Sequence, residues 1–186
     1  MCIRDRNYAA QQGANVTLIS GPTAGNTAHP NVDVLPVTTA DEMLKACLEN
    51  YDSADALIMS AAVADFKPAT KTSKKIKKQD GLGAIPLSPT TDILAQLGKA
   101  KKHQVLIGFA LESENTIANA QQKLLRKNLD AIVVNSLADE GAGFGHDTNK
   151  VSFLERNKDA VHYTLKSKNE VAKDVMTHLK TIFDAR

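Results

Sequence analysis

Residues 56 to 79, ALIMSAAVADFKPATKTSKKIKKQ, constrain the fold more than any other stretch of the chain. Ala56-Leu57-Ile58-Met59 is a short apolar run without polar alternation, the pattern of a strand covered on both faces of a parallel sheet. It stops in small residues, Ser60-Ala61-Ala62, which let a ligand approach the backbone where the strand ends. Asp65-Phe66 then lead into a segment with no apolar periodicity that holds Lys67, Lys71, Lys74, Lys75, Lys77 and Lys78. A buried strand feeding an acid and a basic loop suits a phosphorylated ligand at the strand's carboxyl end, where open α/β sheets place their sites. A turn followed by a solvated lysine-rich loop fits these residues equally well.

The lysines are a local feature, because the 186 residues carry a net charge of only +2. That argues against a dedicated nucleic-acid binder. No apolar run is long enough to span a bilayer, and no basic segment followed by an apolar one marks an export signal. Cys2 and Cys47 are the only cysteines. No disulfide framework is indicated, and a reducing cytoplasm is the expected compartment.

The rest of the chain alternates strand and helix. Met1 to Arg6 (MCIRDR) fits neither a strand nor a capped helix and is read as a non-native scar, leaving residues 7–186 as the domain. Asn7 to Gly13 predicts the last turns of a helix, Asn15 to Ser20 a strand, and Val32 to Val37 a second strand whose Pro36 favours an edge. A helix packed on a parallel sheet normally follows a strand, so an earlier strand is expected before residue 7. Thr39 predicts the cap of a helix from Ala40 to Asn50 with Met43, Leu44, Cys47 and Leu48 on its apolar face, which makes Cys47 a core residue. Beyond the lysines come a short edge strand at Ala84 to Leu87 and a helix capped by Thr90 or Thr91 that carries Ile93, Leu94 and Leu97. Val105 to Phe109 predicts a buried strand running out to Glu112, Asn115 to Asn128 a helix, and Asp130 to Asn135 a further strand. Lys150 to Leu154 and Val161 to Leu165 predict a hairpin, and Asn169 to Phe183 a final amphipathic helix burying Val171, Val175, Met176, Leu179 and Ile182. The order predicts an α/β fold, a doubly wound, mostly parallel Rossmann-like sheet with a C-terminal hairpin and helix and its first strand missing.

No single motif settles the chemistry. Gly141 to Gly145 (GAGFG) lies between a strand and a hairpin, so it lacks the strand-to-helix context of a dinucleotide loop and reads as a plain turn. The five histidines show no metal-ligand spacing, and neither a G-x-S-x-G elbow nor a Walker lysine motif is present. Lys123 and Lys127 are four apart on one helix face, where they could grip a phosphate or be solvated.

Segments in register point further. Ala61-Ala62-Val63-Ala64-Asp65-Phe66, Lys75-Ile76-Lys77-Lys78, Thr91-Asp92-Ile93-Leu94, Gly108-Phe109-Ala110-Leu111-Glu112, Lys123 with Lys127-Asn128-Leu129-Asp130, and Gly143-Phe144-Gly145 with Asp147 and Asn149 follow one another as in a single family. From about Tyr8 almost to its end, the chain resembles the phosphopantothenoylcysteine synthetase family, the ligase domain of bacterial bifunctional coenzyme A biosynthesis proteins. The resemblance implies CTP-dependent joining of 4'-phosphopantothenate to cysteine with Mg2+, through an acyl-cytidylate and release of pyrophosphate. It implies nucleotide-binding roles for Met59, Ser60, Ala61, Asp65, Lys75, Thr91, Asp92, Ile93, Leu94, Phe109, Lys123 and Lys127. Lys75 is the candidate catalytic residue, closing over the acyl-phosphate, and the metal ligands stay unknown. A homodimer and a decarboxylase domain fused upstream are implied as well.

The chain also departs from the family. Members carry a first strand, a turn and an Asn-x-Ser-Ser-Gly-Lys-Met-Gly stretch upstream of the helix that ends at Gly13, and this sequence has none of them. The expectation is an N-terminally truncated ligase domain, weakly active or inactive, with a nucleotide-binding fragment without ligase activity as the alternative. A nucleic-acid-binding lysine loop is a third reading, disfavoured by the low net charge. The ligase reading requires Asp65 and Lys123 to share one cleft.

Overall fold

The computed structural model describes residues 2–23, 29–72, 74, 75, 77, 84–136 and 146–186. In chain order the elements are α1 (Cys2–Gln11), β1 (Val16–Ser20), β2 (Val32–Pro36), α2 (Ala40–Tyr51), β3 (Ala56–Met59), β4 (Phe66–Pro68), β5 (Leu87–Pro89) and α3 (Ile93–Ala100). They continue with β6 (Val105–Glu112), α4 (Thr116–Arg126), β7 (Ala131–Ser136), β8 (Thr148–Asn149), β9 (Val151–Glu155), β10 (Val161–His162), β11 (Lys166–Ser167) and α5 (Lys168–Asp184).

The central sheet has the order β10-β9-β7-β6-β3, with β3, β6 and β7 parallel and β9 and β10 antiparallel. Strand alternation divides its side chains between two cores. Leu106, Ala110, Ile132 and Val134 pack against residues of α2, α3 and α4, whereas Val105, Ile107, Ala131 and Val133 pack against Val171, Val175, Leu179 and Ile182 of α5. Helices on both faces of a mostly parallel sheet, ending in a hairpin and a helix, are what the sequence pattern predicts. No helix among the described residues is long and apolar enough to cross a membrane.

Several local expectations hold for visible chemical reasons. Gly13 adopts φ +91°, and the Gly13 and Ala14 N–H groups close back on the carbonyls of Ala10 and Ala9, so α1 stops there. Thr39 caps α2 and Glu42 reaches back to the Thr39 N–H, completing a capping box. Cys47 is buried in the core, and burial pushes its thiol up to about 11, far from a reactive thiolate.

Others are corrected. Residues 2 to 6, expected to fit neither a strand nor a capped helix, form the start of α1, and Asp5 and Arg6 are buried with side-chain atoms lacking hydrogen-bond partners. Burial pushes the Asp5 carboxyl up to about 6. The stripe of α2 runs through Met43, Cys47 and Tyr51, leaving Leu48 43% exposed. β3 is half-buried instead of fully buried, because among the described residues it pairs only with β6, and β1 pairs only with β2. The edge strand expected at residues 84 to 87 forms at Leu87–Pro89, where it pairs antiparallel with Phe66–Pro68. The cap of α3 is Asp92, not Thr90 or Thr91. Its carboxylate accepts the Ala95 N–H at 3.0 Å, while the Thr90 hydroxyl donates to the Ala64 carbonyl.

Gly98 lets α3 approach the end of α4 more closely than any side chain would allow. A Cβ there would stand 1.8 Å from the carbonyl oxygen of Lys127 and 2.8 Å from its carbonyl carbon, and the Asn128 amide already donates to the Gly98 carbonyl at 2.9 Å. Helix propensity alone favours alanine by about 1 kcal/mol. Because the obstacle is backbone, Gly98→Ala is expected to lower stability by about 1–3 kcal/mol, reversing that sign. A thermal midpoint that rises in the variant would contradict this packing.

His178 of α5 stacks on Phe153 with ring centroids 3.8 Å apart, and its Nε2 lies 2.7 Å from the Tyr163 hydroxyl. Burial holds its pKa below the ordinary 6.5 against the opposing pull of Glu155 and Asp174. With a depressed folded pKa, the unfolded chain binds the proton first, so this contribution is whole above pH 6.5 and is lost as pH falls through the folded value. Melting curves between pH 7.5 and 5 should fall more steeply for the native chain than for His178→Phe, a comparison in which Asp5 is common to both.

Candidate functional site

β3 ends at Met59, in register with Gly108 midway along the parallel strand β6, which runs on to Glu112. Gly108 has no room for a side chain, since a Cβ would stand 2.7 Å from Leu94 Cδ2 and 3.0 Å from Leu129 Cδ1. α3 therefore lies close over the middle of β6, with its first turn beside the end of β3. The segments leaving β3 and entering α3 are tied together, because the Thr90 N–H donates to the Asp65 carbonyl at 2.8 Å.

Between them opens a cleft of about 180 Å³. Met59, Ala61, Val63, Ala64 and Asp65 line one wall, Thr90 to Leu94 the other, and Phe109 and Lys127 complete it. Of the twelve candidate residues, Met59, Ala61, Asp65, Thr91, Asp92, Ile93, Leu94, Phe109 and Lys127 share this cleft. Ser60 lies between two of its lining residues without lining it. Lys75 is exposed on the segment between β4 and β5 and is not among the lining residues. Lys123 is not part of the wall, but it stands one helical turn before Lys127 on the same face of α4. Gly141 to Gly145 and Lys78 lie outside the described residues.

The electrostatics refine the expected anion site at the start of α3. The helix begins at Ile93, and the Asp92 carboxylate already holds the Ala95 N–H. Lys127 Nζ lies 3.1 Å from Asp92 Oδ1 and 2.9 Å from Oδ2, so the cleft floor carries an ion pair rather than a bare helix end. Burial raises the Asp92 pKa, but the hydrogen bonds from Lys127 and the Ala95 N–H, with the charges of Lys127 and Arg126, bring it below the ordinary aspartate value. Of the basic loop, Lys67 is bound to Asp41 at 2.6 Å. Ile93 and Leu94 are buried, so they offer backbone and an apolar floor.

Sequence reasoning assigned no role to Glu112. It ends β6 three residues beyond Phe109, and its Oε1 accepts from Lys123 Nζ at 2.5 Å. The signal was the alternation along β6, which puts Glu112 on the same face as Leu106 and Ala110, toward α3 and α4. Among the described residues, no group of three or more His, Cys, Asp or Glu side chains could hold a metal ion.

Known proteins share both the sequence and the shape. The family described as the DNA/pantothenate metabolism flavoprotein C-terminal domain matches residues 6–182. The chain is 41% identical over 174 residues to the coenzyme A biosynthesis bifunctional protein CoaBC of Bacillus subtilis (strain 168), covering 94% of this chain and 43% of that protein. It is 47% identical over 175 residues to a protein called cysteine/cysteine sulfinic acid decarboxylase from an unknown prokaryotic organism, covering 94% of this chain and 49% of that one. The chain thus spans about half the length of these two relatives. The crystal structure of the C-terminal domain of a CoaBC protein superposes with a TM-score of 0.83 at 32% identity, covering 99% of this chain and 82% of that one. The chain belongs to the DNA/pantothenate metabolism flavoprotein C-terminal domain family.

Proposed function

We propose that the cleft binds CTP and that the chain is the phosphopantothenate–cysteine ligase unit of a coenzyme A biosynthesis protein. One observation carries the reading: nine residues from four separate stretches of sequence meet where β3 ends against the middle of β6, around a lysine and two aspartates. The 41% identity to the Bacillus subtilis CoaBC protein supports it.

The chemistry follows from the weakness of a carboxylate as an electrophile. Attack of the 4'-phosphopantothenate carboxylate on the α-phosphorus of CTP makes an acyl-cytidylate and releases pyrophosphate. The cysteine amine then attacks the acyl carbon, and CMP leaves as the amide forms. Lys127, held in place by Asp92, would meet negative charge on the phosphates without a reorganisation cost. Asp65 would accept from the ribose or base, and Phe109 would pack against either, with Ser60 and the backbone of Thr91 to Leu94 alongside. Lys75 would close from the basic segment over the acyl-phosphate.

The donor set fits magnesium carried in on the nucleotide rather than a resident ion. Asp92 is occupied by Lys127, and Asp65 is the remaining carboxylate lining the cleft. Magnesium keeps most of its shell in water and phosphate oxygens and needs few protein ligands. When bound, it would neutralise phosphate charge. A cytoplasmic location and a homodimer belong to the same reading, as does an upstream decarboxylase domain in a longer bifunctional protein.

The test is calorimetric CTP binding together with release of pyrophosphate. Release that requires both CTP and 4'-phosphopantothenate supports the ligase, whereas CTP binding without release leaves a nucleotide-binding fragment. Lys127→Ala is expected to weaken CTP binding about tenfold or more through loss of a charge-assisted contact. Undiminished CTP affinity in that variant would remove Lys127 from the site. Binding that ignores CTP and weakens steeply with salt would instead favour nucleic acid.

A further inference from the structure

Reading the cleft as a CTP site leaves one partly buried carboxylate beside it without a role. Glu112 closes β6, and its side chain is 11% exposed. Its two oxygens are held separately. Lys123 Nζ donates to Oε1 at 2.5 Å, and the Asn119 amide donates to Oε2 at 3.3 Å while also donating to the Glu114 carbonyl at 3.0 Å.

Asn119 and Lys123 of α4 and Lys127, its C-cap, recur every four residues and so follow one another along one side of the helix. Each lysine meets an acid from another element, Lys123 the Glu112 that ends β6 and Lys127 the Asp92 that caps α3. Each lysine has its own carboxylate, so two like charges one turn apart are kept in fixed places rather than repelling one another into solvent. The Lys123 side chain is still 37% exposed. An ammonium has three donors, and Glu112 Oε1 uses one. The carboxylate's other oxygen accepts from the Asn119 amide, which opposes its moving with the ammonium.

We propose that Glu112 is a positioning residue, which fixes the Lys123 ammonium beside the cleft so that its remaining donors meet the phosphates of the nucleotide. The proposal rests on the reading of the cleft as a CTP site. Without Glu112, the ammonium sits on a flexible four-carbon stem, and the phosphates must order it on binding. The nucleoside end of the ligand, lying against Phe109 and Asp65, is untouched by this device. A role in the phosphate half alone separates positioning from simple bracing of α4 against the sheet.

The experiment is titration of the full chain with CTP and, separately, with cytidine. Glu112→Gln is expected to lower CTP affinity about fivefold and to leave cytidine affinity and the thermal midpoint unchanged. In a Lys123→Ala background the same substitution should have no further effect on CTP, because the two residues act as one unit. Equal losses for CTP and cytidine, unchanged CTP affinity, or tighter CTP binding would each overturn the proposal. If Glu112→Gln fails to fold, Asn119→Ala provides the second variant, with a smaller loss of CTP affinity expected and no loss overturning the inference. A native chain that binds no CTP would overturn the cleft reading and this proposal together, whereas native binding with an indifferent variant overturns this proposal alone.

Discussion

The close approach of α3 to the end of α4 is the constraint on which the cleft depends. Gly98 allows it, the Asn128 amide fastens it to the Gly98 carbonyl, and the Lys127 side chain climbs along α3 to reach Asp92 at its first turn. One contact thus fixes both a wall and a charge. The wall is the start of α3, whose Ile93 and Leu94 are anchored in the core, and the charge is an ammonium that would otherwise swing in solvent. Gly108 does the same work on the sheet side by letting Leu94 and Leu129 pack directly over β6. Two glycines, both in ordinary backbone conformations, set how near the helices come to the strand ends.

How much of this could be read from sequence depends on whether the deciding interaction is local. The stop at Gly13 and the capping box at Thr39 are written within a few residues, and they form as expected. The start of α3 is different. Thr90, Thr91 and Asp92 are all competent caps, and the choice is made by a contact 26 residues away, where the Thr90 hydroxyl is taken by the Ala64 carbonyl. The ribbon of β4 and β5 is likewise non-local, because Phe66 finds its partner at Pro89 across the whole basic segment. The half-burial of β3 reflects its neighbours rather than its own residues. Its apolar run is that of a covered strand, but an edge strand exposes backbone that no side-chain pattern reveals.

The site divides in the same way. Strand-end residues and the helix start were placed by pattern and resemblance, and Met59, Ala61, Asp65, Thr91 to Leu94 and Phe109 meet because the α/β topology gathers its strand ends. The lysines follow a different rule. Their positions in sequence say only that they are basic, and which acid each one meets is decided in three dimensions. Lys67 goes to Asp41, Lys123 to Glu112 and Lys127 to Asp92, while Lys75 stays on an exposed stretch. A carboxylate at the end of an apolar strand looks like punctuation in the sequence. Only the stripe of Asn119, Lys123 and Lys127 opposite it gives Glu112 a chemical setting.

The pairing of lysine with acid also bears on how such a cleft can take a highly charged ligand. Bare ammoniums clustered at a strand end would repel each other and weaken the fold, and in water each would be solvated and poorly aimed. Neutralising each one with a wall carboxylate removes the repulsion and fixes direction, at the cost of placing negative charge near the phosphates. That cost is tolerable where the acid is already engaged. Asp92 holds a helix N–H as well as Lys127, and the balance of these contacts keeps it ionised below the usual aspartate range. A carboxylate so occupied presents little free lone-pair density to an incoming anion, whereas the lysine it holds still has donors to give. The result is a site whose two lysines are each paired when empty and directional when filled, which is how a preorganised polar cleft aims cations at a polyanion without loosening the protein around it.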